Sequence, residues 1–549
     1  MAAVSRVTKS GNVYTDAMLG DYKWATTTLT YSFPTSASFY GSPYGNGETG
    51  SFGVLNTAQQ NAAKAALAAY AAVANITFTQ VTESSSKHAD IRMAASDRPS
   101  TAWAYFPTTA AEGGDAWFNK SSGYYSNPVK GNYAYTTFLH EIGHSLGLEH
   151  PHENGMPVER DSMEFTVMSY RSYTGAPLTG YVNESWGFAQ SLMQLDIAAI
   201  QQLYGANFTT NSGNTVYTWS PTTGEMSVNG VGQGAPGGNR IFMTVWDGGG
   251  VDTYDFSKYT TNLSVNLNPG DWTTTSTAQL AKLYYNGSQI ADGNIANALL
   301  YKGDVRSLIE NAKGGSGADS ITGNQADNSL WGNAGNDQLY GNAGNDVLIG
   351  GAGADRLDGG AGIDTASYQE AAAGVIASLF SPGGNTGEAA GDTFFFVEQL
   401  VGSSYGDTLT GDDNANGLSG LAGNDVLNGR GGNDQLVGGA GADVLTGGAG
   451  VDTFYFTATT DSSATTGRDT ITDFVSKTDK IDLKSIDANT KLSGDQAFSY
   501  IGSAAFTKVA GQLHFVNGVL EGDINGDRVA DFQIIVQNVS AFATGDFIL

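Results

Sequence analysis

The sequence predicts a multidomain chain of two fold classes, a mixed α/β domain followed by an all-β half built as a parallel β-roll with two repeat arrays. Three observations predict it. At 549 residues the chain exceeds what one core holds, so several domains are expected. Its composition shifts once, near Asn207, from ordinary globular usage to a stretch dominated by Gly, Asn, Asp and Thr. Beyond that shift glycines recur every nine residues, a period typical of stacked turns.

The first domain is expected over residues 1–210. Beta-branched and aromatic runs at 27–33, 76–81, 89–93 and 115–119 read as strands. Helical patterns cover 57–74, 133–146 and 191–204, the last with Leu192, Leu195, Ala199 and Leu203 on one face. A strand lead-in and the first array follow over 211–367, an inter-array segment over 368–401, the second array over 402–456 and a C-terminal cap over 457–549.

Charge and composition exclude several functions. The formal net charge of −28 argues against nucleic acid or an anionic membrane as partner. The chain has no Cys, which removes disulfides, thiolate metal sites and cysteine nucleophiles. The alanine-rich stretch 61–74 contains Lys64 and is too short to span a bilayer, so no stable membrane insertion is expected. Residues 1–9 hold no apolar run of the kind a Sec-type signal needs.

Within the repeats, blocks opening at Gly314, Gly323, Gly332, Gly341, Gly350 and Gly359, and again at Gly402, Gly411, Gly420, Gly429, Gly438 and Gly447, approximate G-G-x-G-x-D-x-U-x. The first six residues of a block form a turn and the last three a short strand. The apolar residue at position eight (Leu339, Leu348, Leu357, Leu427, Leu436, Leu445) fills a narrow core. Position six carries Asp319, Asp337, Asp346, Asp355, Asp364, Asp407, Asp425, Asp434, Asp443 and Asp452, hard charged oxygens of the kind calcium prefers. A disordered Gly/Asn/Asp linker has a similar composition but no in-register apolar position. Asp247 and Asp252 look like an isolated earlier turn, while Asp523, Asn525, Asp527 and Asp531 fit either one more calcium or an Asx-rich turn. Segment 368–401 loses the period, and three roles stay open for it: binding a partner, extending the roll, or adding stability.

One motif carries chemistry. His140 and His144 lie four residues apart, so a helix sets them on one face, with Glu141 beside them. Gly147 suits a left-handed helix end that turns the chain back and returns His150 to the pair. Three neutral imidazoles with an open position make a catalytic rather than a structural zinc site. A bare H-E-x-x-H occurs by accident in many proteins. Here three of only six His sit at ligand spacing. His152, close by, reads as solvent-facing.

This extended motif resembles that of the metzincin clan. Val167-Met168-Ser169-Tyr170 looks like the clan's Met-turn, and Pro151 after the third His together with Met-Ser-Tyr is similar to the serralysin family. So are Gly11-Asn12, 16–19, Lys23-Trp24, 29–34, 89–92 and 114–119. The resemblance implies a metzincin-type zinc protease domain with Glu141 as general base and Met168 as the floor under the zinc. It also implies Tyr170 as a displaceable zinc ligand that then donates to the oxyanion. Asp115, Ala116, Trp117, Phe118 and Asn119 are the implied substrate-binding edge strand. The nine-residue blocks resemble RTX modules of proteins exported by type I secretion, and Gly545 to Leu549 is similar to the serralysin secretion signal.

The expectation is therefore a secreted, extracellular bacterial zinc endopeptidase with zinc and calcium as cofactors. It would act as a monomer on protein or peptide substrates and meet the type I secretion apparatus during export. The chain departs from the family pattern in having two arrays and almost nothing before Gly11 to serve as a pro-segment. Two other readings stay compatible: a calcium-dependent surface or adhesive protein, and a narrow-specificity protease that processes a surface protein.

Overall fold

A computed structural model describes residues 2–463 and 467–549. The chain forms two compact units, Met1–Asn311 and Ala312–Leu549.

In the first unit the principal sheet contains β1 (Thr28–Ser32), β2 (Thr77–Gln80), β3 (Ile91–Ser96), β4 (Ala102–Ala104) and β5 (Ala116–Asn119). The order is β2-β1-β3-β5-β4, parallel except for β4, which runs antiparallel to β5. This order corrects the expected substrate edge. Residues 115–119 lie inside the sheet, because β5 pairs with β3 on one side and β4 on the other and is buried throughout. The edge is β4, a three-residue strand too short and too mixed to stand out as a strand in the sequence.

Three of the unit's helices position the site. Helix α1 (Thr57–Val73) starts with a reciprocal cap: the Asn56 side chain accepts from the Gln59 N–H and the Gln59 side chain from the Asn56 N–H. Its buried Ala62, Ala63 and Ala66 leave room for a close neighbour, and Tyr70 donates its hydroxyl to the Leu139 carbonyl at 2.9 Å. Helix α2 (Tyr133–Leu146) opens at Asn132, whose side chain accepts the Tyr135 N–H, and ends at Gly147 with φ 106°. A Cβ there would lie 2.7 Å from the Tyr22 carbonyl oxygen, so glycine is required for position as well as for conformation. Helix α3 (Gln194–Tyr204) begins later than its apolar pattern suggests, because Met193 is extended and its N–H is held by the Asp196 carboxylate at 2.9 Å. Leu139, Ile142, Leu146, Met168, Leu195 and Leu203 share one buried core. Segment 211–311 also lies in this unit and contributes short strands such as Val216–Trp219 and Thr253–Asp255, which pair in parallel.

The second unit is a parallel β-roll whose strands pair with the strand eighteen residues on: Leu330 with Leu348, Leu339 with Leu357, Leu418 with Leu436 and Leu427 with Leu445. Successive nine-residue blocks thus alternate between two faces, and each position-eight leucine is buried between them. One face runs through both arrays, from Ser329–Ala334 through Thr365–Ser367, Gln399–Val401 and Gly417–Ser419 to Thr453–Tyr455 and Lys480–Asp482. The opposite face changes sheets. Ser320–Thr322, Gln338–Ala343, Arg356–Ala361 and Thr393–Phe395 belong to the first, and a second starts at Ile376–Ser378. Segment 368–401 therefore extends the roll. The second of these sheets runs into an antiparallel meander of Gln512–Val516, Val519–Asp523 and Phe532–Val536. No helix among the described residues is long and apolar enough to cross a membrane.

Candidate metal centre

Helix α2 presents His140 and His144 on one face, and the turn at Gly147 returns His150 to them. The three Nε2 atoms lie 3.1 Å (His140 to His144), 3.2 Å (His140 to His150) and 2.9 Å (His144 to His150) apart. Their outer nitrogens identify the protonation state. His140 Nδ1 faces the Val167 carbonyl at 2.8 Å and His144 Nδ1 the Leu148 carbonyl at 2.7 Å. His150 Nδ1 lies 3.4 Å from the Glu153 carboxylate. The carbonyls fix His140 and His144 with the proton on Nδ1, and the nearby Glu153 carboxylate favours the same tautomer in His150, so three Nε2 lone pairs point at one another. Three converging lone pairs repel unless a cation sits among them, and three imidazole nitrogens suit zinc.

Electrostatics favour the same state. Burial, then the neighbouring imidazoles, lowers His140 to about 3 and His150 to about 4, and lowers His144 well below its ordinary value. All three are neutral near pH 7, the form that binds a metal.

Glu141, on the same helix, is 5% exposed, and its Oε2 is buried with no hydrogen-bond partner. Burial pushes this carboxyl up to about 8. The Tyr170 ring lies parallel to His140 at 5.7 Å and tilted to His150 at 4.5 Å. Burial, then the Glu141 charge, pushes its phenol up to about 12. The structure brings His140, His144, His150, Glu141 and Tyr170 together.

Met168 is fully buried beneath the histidine helix. A Cβ on Gly143 would stand 2.7 Å from Met168 Sδ, so this glycine, between two ligands, lets the turn close under them. Asp196 fixes that turn. Its Oδ1 accepts the Thr166 hydroxyl at 2.6 Å, and its Oδ2 accepts the Val167 N–H at 2.9 Å along with that of Met193. Because the Val167 carbonyl in turn receives His140 Nδ1, Asp196 orients a ligand from two bonds away. Sequence reasoning missed Asp196, whose signal was an acidic residue among the apolar residues of a helix start.

His152 is half-buried rather than solvent-facing. Its ring stacks on His150 at 5.4 Å and meets Tyr170 at 5.1 Å, and its Nδ1 is buried without a partner. Together with His150 and Glu153 it forms a second group of possible ligands.

Beside the triad a cavity of about 540 Å³ is lined by Ala102 of β4, Thr137, Glu141, Tyr133, Tyr181 and Phe188. The other edge of β4 has no strand partner among the described residues.

In the second unit the ten position-six aspartates are all buried. In eight of them one carboxylate oxygen accepts a backbone N–H from the turn eighteen residues before, as Asp337 does from Asp319, Asp346 from Asn328, Asp425 from Asp407 and Asp434 from Asn416. The second oxygen of Asp337, Asp346, Asp355, Asp364, Asp425, Asp434, Asp443 and Asp452 is buried with no partner. Asp319 and Asp407 differ, as each turns that oxygen to its own turn's N–H, Gly315 and Ser403. Rows of buried carboxylate oxygens without donors carry a heavy desolvation cost that a hard divalent cation offsets. Asp469 and Asp479, past the last repeat, continue the ladder by accepting from Asp443 and Asp452.

The description "Peptidase M10 serralysin C terminal" matches residues 206–549, and "Matrixin" matches residues 47–164. Metalloprotease AprA of Pseudomonas entomophila is 34% identical over 316 residues, covering 55% of this chain and 60% of that protein. Serralysin B of Dickeya chrysanthemi is 37% identical over 314 residues, covering 53% and 58%. The chain thus spans about three fifths of the length of these relatives.

Proposed function

The chain belongs to the serralysin family, and from that premise we propose that it is a zinc-dependent endopeptidase whose calcium-loaded roll folds outside the cell. The observation that carries the reading is the convergence of three Nε2 lone pairs beside a buried carboxylate with a free oxygen.

His140, His144 and His150 would hold the zinc, and Tyr170, whose ring lies 4.5 Å from that of His150, would be a further, displaceable ligand. Bound there, the ion supplies an electrophile for the scissile carbonyl and acidifies a water near neutral pH. Glu141 does the proton work. Its Oε2 takes a proton from the attacking water as the carbon–oxygen bond forms, and returns it to the amide nitrogen as the carbon–nitrogen bond breaks. Burial alone raises its proton affinity, and the positive charge of zinc held beside it would lower it again, leaving the carboxylate ionised to accept a proton near pH 7. The Tyr170 phenol stays protonated near pH 7 and donates to the oxygen that gains charge.

The substrate backbone would add to the free edge of β4 as an extended strand, since unpaired backbone groups there give sequence-tolerant affinity. Tyr133, Tyr181 and Phe188 make the adjoining cavity a receptor for a large apolar or aromatic side chain.

In the roll, the partnerless oxygens of eight repeat aspartates make calcium the expected ligand. Low calcium would leave the roll unfolded for passage through a type I export apparatus, and extracellular calcium would fold it. Hydrolysis of an unfolded protein, with and without a zinc chelator in excess calcium, tests the reading. Chelator-sensitive cleavage is expected, whereas chelator-insensitive cleavage or none contradicts it.

A further inference from the structure

Segment 368–401 carries no nine-residue period, yet two of its acids assume the position-six role. Asp392 Oδ1 accepts the Asp355 N–H at 2.8 Å, and Glu398 Oε2 accepts the Asp364 N–H at 2.9 Å. Tyr368 donates its hydroxyl to Asp392 Oδ2 at 2.8 Å, so that oxygen has a protein donor. Asp364, facing Glu398, is 0% exposed, and its Oδ2, like that of Asp355, is buried with no partner.

The Phe396 carbonyl oxygen faces the same point, since a Cβ on Gly359 would collide with both that oxygen and Asp364 Oδ2. Regular turns build this two-oxygen cradle from an aspartate and a glycine carbonyl, as Asp346 and Gly359 do around Gly341. Phe396 takes the glycine's part with φ 51°, although the residue is 68% exposed. A bulky residue in the left-handed region is strained, and packing of so exposed a residue gives little reason for it.

The arrangement has a counterpart within the chain. Asp252 donates its N–H to Glu310 Oε2 at 2.7 Å and accepts the Asn311 N–H at 2.9 Å. Asp364 donates to Glu398 and accepts the Gln399 N–H at 2.9 Å. Asp252 Oδ2 is likewise buried without a partner. Glu310 and Glu398 each stand just before the glycine that opens an array, Gly314 and Gly402.

We propose that Asp364, Glu398 and the Phe396 carbonyl form a calcium site at the junction of the two arrays, and that its ion couples their folding. The proposal rests on the calcium reading of the repeats but concerns ligands that the repeat motif does not encode. Two carboxylates and a carbonyl are hard oxygen donors. Coupling follows from where Glu398 is tied. Its own N–H reaches the Asp364 carbonyl in the last turn of the first array, and its carbonyl accepts the Gly417 N–H at 3.0 Å and Asn416 Nδ2 at 3.2 Å in the second.

The test is calcium binding by equilibrium dialysis on the full chain and its Glu398→Gln variant, with backbone hydrogen exchange followed across a calcium titration. The variant should bind one calcium fewer per chain. Protection at 417–419 should also require several-fold more calcium than protection at 338–343, whereas the parent chain protects both together. Full stoichiometry with coincident protection in the variant would overturn the proposal. Asp434→Asn separates the two readings. If it loses calcium while Glu398→Gln does not, only the junction site is rejected; if neither loses any, the calcium reading of the repeats fails as well. Should Glu398→Gln not fold, Glu398→Asp should weaken binding, and parent-like binding in it rejects the site.

Discussion

Replacing Gly143 with alanine tests how the metal centre is supported from below. The added Cβ would stand 2.7 Å from both Met168 Sδ and the Tyr70 hydroxyl oxygen, roughly 1 Å inside comfortable contact. Met168 and Tyr70 are fully buried, so neither can swing into solvent. Overpacking of this kind costs about 1–3 kcal/mol. If Tyr70 yields, its 2.9 Å bond to the Leu139 carbonyl is lost as well, adding about 1 kcal/mol. A total of roughly 2–4 kcal/mol, at about 2–4 °C per kcal/mol for a domain of moderate size, lowers the melting temperature by roughly 4–16 °C. The same displacement moves α2 relative to His150, so zinc content after dialysis should fall too. Calorimetry of the full chain in excess calcium, with zinc measured on the same sample, reads both. A variant with the parent's melting temperature and zinc content would refute the close packing of Met168 under the histidines.

Two further outcomes follow from the titrating groups. Burial pushes Asp355, Asp425 and Asp434 up to about 7 and Asp469 up to about 8, against about 3.9 in an unfolded chain. The folded roll therefore binds protons more tightly than the unfolded one, and this stabilisation is present at low pH and lost as pH rises through 7 to 8. In a calcium chelator, hydrogen exchange of the roll should slow as pH falls from 8 to 5, after correction for intrinsic rates. Unchanged or reduced protection would contradict the assignment. Tyr170→Phe should lower turnover well beyond any loss of zinc affinity; equal losses, or an unchanged rate, would reduce Tyr170 to packing.

Much of the fold was legible because its periods are strong. The histidine helix was expected over 133–146 and forms over Tyr133–Leu146, since a polar cap and a helix-ending glycine bracket it. The leucines of the roll pair in the register their spacing predicts. What stayed hidden depends on contacts distant in sequence. Strand β4 is three residues long and is made a strand by pairing with β5, so the sequence alone points to residues 115–119 as the edge. Asp196 acts on a turn about thirty residues away. His152 looked solvent-facing because nothing in its neighbourhood reveals the Tyr170 ring beside it. In segment 368–401 the period disappears, yet Asp392 and Glu398 restore its hydrogen bonds from irregular spacing.

The central claim is that Glu141 carries the proton in a zinc-dependent hydrolysis. Its most direct test is Glu141→Gln, with zinc stoichiometry and cleavage of an unfolded protein measured on one preparation in excess calcium. The account predicts zinc bound as in the parent chain and cleavage reduced by about 10²–10⁴-fold or more, the contribution of a positioned base. Near-parental cleavage by the zinc-loaded variant would contradict it.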